Sequence, residues 1–211
     1  MGIETLADLL TGALVFAHVF SLCAAAFFLF LKKGNTFAES ASYAIITVFM
    51  LLSFIHQISF ITGIPLIATG LESVFLLASL LLIFRHRSHI PGIFKALKSV
   101  ESVNPIAFTF LGLCLVYMAI HALLPIPENF QTELYAISLY EKKGFFPLGA
   151  ASEFPAFLPV NHLILFNTFL RFDAHAGAGI FCFLAYLSIG FSTYALARRY
   201  SWQGTAFTAS I

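Results

Sequence analysis

The fold is decided by residues 41–84, which read ASYAIITVFMLLSFIHQISFITGIPLIATGLESVFLLASLLLIF. This stretch holds two apolar runs, residues 41–62 and 65–84, joined by a short turn that contains Gly63 and Pro65. The hydrocarbon core of a bilayer is about 30 Å thick, and roughly 20 apolar residues of α-helix cross it. Each run is therefore long enough to span a membrane, and the Gly/Pro turn predicts a tight helical hairpin.

Three further apolar runs, residues 6–31, 105–125 and 174–197, extend this pattern on both sides. The first lacks the basic start of a secretory signal peptide and is too long to be one, so we interpret it as a span. Residues 205–211 resume an apolar pattern that is typical of the start of a sixth helix. The sequence thus predicts an all-α integral membrane protein with about five transmembrane helices.

The composition supports this class and excludes others. Hydrophobic residues make up 60% of the chain and charged residues only 10%, with a mean hydropathy of +0.92, whereas soluble domains carry roughly 25% charge. The formal net charge is +1, and no basic tract exceeds two residues, so we expect no nucleic-acid partner. Cys23, Cys114 and Cys182 each lie in an apolar run, and we predict buried small hydrophobes rather than metal ligands.

Orientation follows from the basic loops, because short loops rich in Lys and Arg stay in the cytoplasm. Lys32 and Lys33 form one such loop, and residues 85–98 form another. The amino terminus, the Gly63 turn and the polar, aromatic stretch 125–157 should then face outward.

The next apolar run, residues 158–170, is too short to cross a bilayer without strong thinning. If it crossed, Arg198 and Arg199 would fall on the outside, against the positive-inside bias. We therefore predict a juxtamembrane or partly re-entrant helix on the outer side. Residues 1–104 then form a three-helix membrane region with a basic cytoplasmic loop. Residues 105–211 form a second segment, comprising a helix, the loop 125–157, the juxtamembrane helix 158–170, the helix 174–197 and the start of another helix.

Ionisable groups inside spans are candidates for function because each costs roughly 2.5–3.5 kcal/mol on insertion scales. Glu72 lies within the third run, and the hairpin turn should bring it against His56 or Gln57 near the outer end of the second run. We favour a structural hydrogen bond between the hairpin helices over a proton path, since one carboxylate and one imidazole do not form a path. His18 and His121 are interpreted as packed or hydrogen-bonded core histidines.

The outer loop carries a second set of candidate residues: Glu128, Glu133, Tyr135, Tyr140, Lys142 and Lys143. Its carboxylates could act as a general base or bind a metal ion. The alternative is a solvated interfacial loop whose Tyr and Lys side chains anchor it at the headgroups. Spacing alone favours that alternative, because the chain has no zinc, P-loop or triad pattern.

A resemblance to a known family favours the catalytic interpretation of this loop. Residues 125–202 resemble bacterial polytopic glycosyltransferases of the GT-C superfamily in Pro125 to Glu128, Tyr140, Gly144 and Phe145, the aromatic and proline cluster from Phe154 to Pro159, Phe172 and Asp173, and the closing run from Tyr194 to Arg199. In that family an acidic residue in the first large extracytoplasmic loop is the base when a sugar passes from a polyprenyl-phosphate donor to an acceptor. The matching position here is Glu128, with Glu133 the second candidate, and a Glu replaces the usual Asp.

The resemblance implies a truncated GT-C-like bundle, because the family's fold continues through many more helices than 211 residues hold. It implies substrate binding by Tyr135, Tyr140, Lys142 and Lys143, and it leaves open whether a divalent metal assists the base. The function expected is sugar transfer from a lipid-linked donor at the outer face of the bacterial cytoplasmic membrane. The alternative is a non-catalytic accessory or structural subunit that packs against other membrane subunits.

Overall fold

A computed structural model describes residues 3–87, 105–124, 164–172, 174 and 177–210, and every regular element within those ranges is a helix. The α-helices are α1 (Ile3–Lys32), α2 (Phe37–Thr62), α3 (Pro65–His86), α4 (Pro105–Leu123), α5 (Asn167–Leu170), α6 (Ile180–Arg198) and α7 (Gln203–Ala209). A 3-10 turn, Ile164–Phe166, precedes α5 directly. The all-α class predicted from the sequence is confirmed.

Four of these helices are long and apolar enough to cross a membrane: Leu6–Lys32, Phe37–Thr62, Pro65–His86 and Ile180–Arg198. The apolar part Thr109–Leu123 of α4 is shorter. These helices indicate an integral membrane protein, while the count of five spans stays a prediction.

Local sequence signals set the α2–α3 hairpin. Thr36 caps α2, because its side chain accepts a hydrogen bond from the Glu39 N–H while the Glu39 carboxylate accepts one from the Thr36 N–H. Gly63 ends α2 in the left-handed conformation, with φ 65°, and its N–H donates to the Ser59 carbonyl. Pro65 then opens α3 at the first helical position, where a missing N–H costs nothing. The hairpin predicted from the Gly/Pro turn is confirmed.

The second helix lies at the centre of the bundle, where it packs against α1, α3, α6 and the 3-10 turn. Leu52, Ile55, His56 and Phe60 of α2 are almost completely buried. Towards its other end, the Ser42 hydroxyl lies 2.5 Å from that of Ser192 on α6. Short side chains and shared hydroxyls let these two apolar helices approach closely.

Contacts at the helix ends define two ends of the bundle. Arg199 follows α6 and donates to Glu39 at the start of α2, with an N to O distance of 2.8 Å. This hydrogen bond to the carboxylate raises the pKa of Arg199. At the opposite end, a Cβ atom added to Gly177 would lie 3.4 Å from the Gly12 carbonyl oxygen of α1. Helices α2 and α6 therefore run in opposite directions.

Three sequence expectations need correction. The last long helix begins at Ile180 rather than residue 174, because Gly177 has φ +87° and breaks the helical path, with Ala174 and Ala178 buried on either side of it. The described part of the predicted helix 158–170 is a 3-10 turn followed by one α-helical turn, and residues 158–163 lie outside the described ranges. Cys182 is exposed and Cys114 half-buried, so only Cys23 is a core cysteine.

Candidate functional site

Glu72 lies on the narrow buried face of α3. The buried residues of this helix are Ala68, Glu72 and Ser79, whose spacing of four and seven residues forms one stripe. The Glu72 residue is 4% exposed. It lies seven residues after Pro65, which places it about 10 Å along the helix from the hairpin turn. A carboxylate at this depth requires polar partners.

Arg171, which directly follows α5, supplies the main partner. One guanidinium NH₂ group donates to Glu72 Oε2 at 2.5 Å, and the other donates to the Thr69 hydroxyl at 3.3 Å. The Glu72 and Arg171 side chains are only 5% and 6% exposed. The opposite charges thus neutralise each other inside the bundle, and the pair ties the chain after α5 to α3.

His56 of α2 adds a second contact to the carboxylate. Its Nε2 lies 3.3 Å from Glu72 Oε1 and 2.9 Å from the Thr168 hydroxyl. On the other side of the ring, Nδ1 lies 3.3 Å from Nδ2 of Asn167. An amide nitrogen only donates, so Nδ1 accepts and Nε2 carries the proton, which the Thr168 hydroxyl oxygen accepts.

His18 of α1 completes what we call the ionic cluster: His18, His56, Thr69, Glu72, Asn167, Thr168 and Arg171. Its Nε2 lies 3.6 Å from Glu72 Oε2, too far for a hydrogen bond. Within the described part of the chain, five buried polar atoms of the cluster have no hydrogen-bond partner: His18 Nδ1, His18 Nε2, Glu72 Oε1, Asn167 Oδ1 and Arg171 Nε. These atoms include both hydrogen-bond donors and hydrogen-bond acceptors.

The chemistry of the cluster favours anchoring over metal binding. Among the described residues, no group of three or more His, Cys, Asp or Glu has the geometry of a metal site. The Arg171 guanidinium also opposes any cation placed beside Glu72. The cluster joins α2 and α3 to the 164–172 segment through polar contacts that hydrocarbon does not weaken.

The structure brings together only part of what the sequence predicted. Glu72 does lie against His56, whereas Gln57 is exposed and takes no part in the cluster. His121 is exposed, with its ring 4.2 Å from that of Tyr117, so its assignment to the core is wrong. The six loop candidates, Glu128, Glu133, Tyr135, Tyr140, Lys142 and Lys143, lie outside the described residues.

Sequence reasoning missed the residues that complete the cluster. The sequence pattern gave no role to Arg171, Asn167 or Thr168, and it predicted for His18 only a packed or hydrogen-bonded core histidine. A signal was present in the sequence, because Arg171 lies between Leu170 and Phe172 at the end of an apolar run. A buried acid requires a cation, and an arginine in such an apolar setting is a candidate for that partner.

No protein-family model, curated protein or solved structure matches this chain.

Proposed function

We propose that this chain is a glycosyltransferase-like protein of the bacterial cytoplasmic membrane with a GT-C-like arrangement of helices. It transfers a sugar from a polyprenyl-phosphate donor on the extracytoplasmic side. The amino terminus and the α2–α3 turn face outward, and Lys32, Lys33, Arg198 and Arg199 face the cytoplasm, as the positive-inside bias favours. The proposal draws on the resemblance of residues 125–202 and on the geometry around that stretch.

The observation that carries the proposal is that the residues flanking the loop lie at one end of the bundle. A Cβ atom added to Gly179 would lie 2.8 Å from Ala122 Cα, so the end of α4 meets the start of α6. The Phe169 ring contacts that of Phe181 at 5.8 Å, which places α5 at the same end. The described residues on either side of the 125–163 stretch therefore lie at the end where Gly177 meets Gly12.

The ionic cluster fixes the position of the segment that follows the loop. Arg171 and Thr168 hold the chain just after the loop against Glu72 and His56 of the hairpin. A base that takes a proton from a hydroxyl must be positioned to within a fraction of an ångström, which favours a rigid support beneath the loop. The cluster is thus a positioning element in this proposal, whereas Glu128 and Glu133 are the candidate catalytic groups.

The reaction proposed is a simple displacement. Glu128 takes the proton of an acceptor hydroxyl while the hydroxyl oxygen attacks the anomeric carbon of the donor sugar. The bond from that carbon to the phosphate oxygen breaks. The products are the glycosylated acceptor and the polyprenyl phosphate.

The accessory-subunit alternative has an observation of its own. Within α4, Ala122 is buried, while most of the helix surface is exposed. The exposed large side chains are Phe110, Leu113, Val116, Tyr117, Ile120 and Leu123. A helix attached mainly at one end accommodates either lipid or further helices, and those helices could belong to another subunit.

The test compares Glu128→Gln with Glu133→Gln in membranes that contain the protein. Each change keeps the side-chain shape and removes the proton acceptor. Membranes are given a panel of polyprenyl-phosphate hexoses and pentoses with a radiolabelled sugar, and transfer to extractable acceptor is counted. Loss of the Glu128 carboxylate should lower turnover by roughly 10² to 10⁴ while expression is unchanged, and loss of the Glu133 carboxylate should have much less effect.

If Glu133→Gln lowers turnover much more than Glu128→Gln does, the general base is Glu133. If the unchanged protein transfers no sugar from any donor in the panel and both variants behave alike, the accessory-subunit function replaces the enzyme. Co-purification of a partner membrane protein with both variants would then be expected.

A further inference from the structure

A groove on the α1–α2 surface combines an apolar floor with basic side chains at one end. The α1–α2 groove, of about 570 Å³, is lined by Ala26, Leu29, Phe30, Lys32, Lys33 and Thr47. Ala26, Leu29, Phe30 and Lys33 recur at the spacing of one helical face, so the floor is a stripe along the last two turns of α1. The apolar floor of the groove is therefore continuous with its basic end.

The depth of the groove matches the boundary of a bilayer leaflet. The candidate span Leu6–Lys32 has 27 residues, which corresponds to a helix of about 40 Å. This length exceeds the hydrocarbon core of about 30 Å and approaches the thickness with headgroups included. Lys32 and Lys33 therefore lie at headgroup level, while Ala26 lies in the hydrocarbon.

The basic end of the groove carries unneutralised charge. No ion pair in the described part of the chain involves Lys32 or Lys33, and the acid nearest in sequence, Glu39, is bound to Arg199 and Thr36. The Lys33 ammonium lies 5.8 Å from the centre of the Phe30 ring, so this side chain folds over the floor. Tyr43 of α2 also packs its ring on Phe30, with centroids 5.6 Å apart, which borders the groove with an aromatic of the interfacial type.

We propose that the α1–α2 groove is a binding site for one anionic phospholipid of the inner leaflet. The phosphate contacts Lys32 and Lys33, and the upper part of one acyl chain lies along Phe30, Leu29 and Ala26. Charge complementarity selects an anionic headgroup over a zwitterionic one, and the apolar floor requires an attached acyl chain. This inference is independent of sugar transfer, since the groove lies at the end of α1 opposite Gly12.

The test measures binding of phosphatidylglycerol and phosphatidylcholine to the full chain in detergent by native mass spectrometry. A double variant, Lys32→Gln with Lys33→Gln, should weaken phosphatidylglycerol binding by roughly 25-fold, about fivefold for each lysine. Phosphatidylcholine binding should change little. Glycerol phosphate has no acyl chain and therefore cannot occupy the apolar floor. It should not displace phosphatidylglycerol at matched concentration.

Two further variants separate the site from general attraction to basic residues. Arg85→Gln with Arg87→Gln removes the same charge from the end of α3, which contacts α1 through His86 and Phe28, but leaves the groove intact. This control should retain phosphatidylglycerol selectivity. Thr47→Phe fills the groove without a charge change and should weaken binding severalfold while the monomer elutes normally on size exclusion.

Equal losses in the Lys32/Lys33 and Arg85/Arg87 variants would overturn the proposal, because the attraction would then be diffuse. Unchanged binding to Thr47→Phe would also overturn it, since no chain would lie in the groove. Displacement of phosphatidylglycerol by glycerol phosphate would overturn it as well, because the headgroup alone would then account for binding.

Discussion

At the scale of single residues, the pairing of Glu72 with Arg171 determines how the bundle tolerates charge. Both groups are almost completely shielded, and the carboxylate oxygen and guanidinium nitrogen lie 2.5 Å apart. Removal of one partner leaves the other buried and unpaired, which is far more costly than loss of an exposed ion pair. The pair is therefore expected to act as a unit.

We predict that Glu72→Gln lowers the free energy of unfolding by about 3–5 kcal/mol, because Arg171 is left uncompensated. Arg171→Met should cost a similar amount. The double variant should recover much of the loss, since it removes both charges and keeps the volume filled. Unfolding by SDS in mixed micelles, followed by circular dichroism, measures all three, and additive losses in the double variant would disprove the coupling.

The matched control is Glu39→Gln, which breaks the ion pair with Arg199 at the other end of the bundle. Arg199 is 63% exposed, so solvent screens this pair. The unfolding midpoint should scarcely move, although the capping contact of Glu39 with Thr36 is weakened as well. A loss as large as that of Glu72→Gln would show that burial does not decide the effect.

The sequence predicts only one contact of the ionic cluster. The contact between His56 and Glu72 could be predicted because a short turn fixes the pairing of adjacent helices. The contact with Arg171 could not, since it joins residues 99 positions apart and depends on how the 164–172 segment folds back. His121 illustrates the opposite failure, because an apolar neighbourhood in the sequence does not indicate which side of α4 is packed.

At the scale of elements, α4 is held to α6 by a close backbone approach. Gly179 permits this approach, since a Cβ atom there would lie 2.8 Å from Ala122 Cα and 3.1 Å from its carbonyl oxygen. Both atoms belong to backbone, which cannot rotate away as a side chain can. The close spacing between the two helices thus depends on Gly179, which has a hydrogen where alanine would have a methyl group.

We predict that Gly179→Ala destabilises the protein by about 1–3 kcal/mol, as overpacking of a closed contact does. Gly112→Ala on α4 is the control, because a Cβ atom there meets no heavy atom within 4 Å. It should be neutral or stabilise by up to about 1 kcal/mol through helix propensity. Thermal unfolding in detergent compares the two, and equal effects would contradict the role of the close contact.

The start of α6 shows why element boundaries are difficult to predict. The run from Ala174 to Gly179 is rich in small residues and has no proline, and its glycines alone do not fix the residue at which a helix begins. The stop arises at Gly177, whose left-handed backbone lets the turn pack between Phe169 and Gly12. Tertiary contacts therefore outweigh the local preference.

At the scale of the whole molecule, the arrangement of helix ends agrees with a bundle in which residues 164–172 stay on one side. Arg199 and Glu39 meet at one end, while Ala122 meets Gly179 at the other. The long apolar runs and the hairpin turn made this architecture accessible from sequence, because length and turn chemistry are local properties. The fifth span and the membrane orientation stay predictions.

We predict that cysteines introduced at Asn35, Ser88 and Gln203 resist impermeant thiol reagents in intact cells, whereas one at Asn129 reacts. The reason is the positive-inside bias of the loops near Lys32 and Arg199. Labelling is measured before and after permeabilisation, with the protein lacking its three native cysteines as background. Reaction at both Gln203 and Asn129 in intact cells would make residues 158–170 a true span.

The separation of 99 residues between Glu72 and Arg171 also has a consequence for biosynthesis. A ribosome that adds roughly 5–20 residues per second needs about 5 to 20 s to extend the chain from one to the other. During that interval the nascent α3 enters the bilayer, and the members of the ionic cluster already synthesised beside Glu72 are His18, His56 and Thr69. The early hairpin is therefore an unfinished intermediate, and arrival of the arginine is the event that completes it.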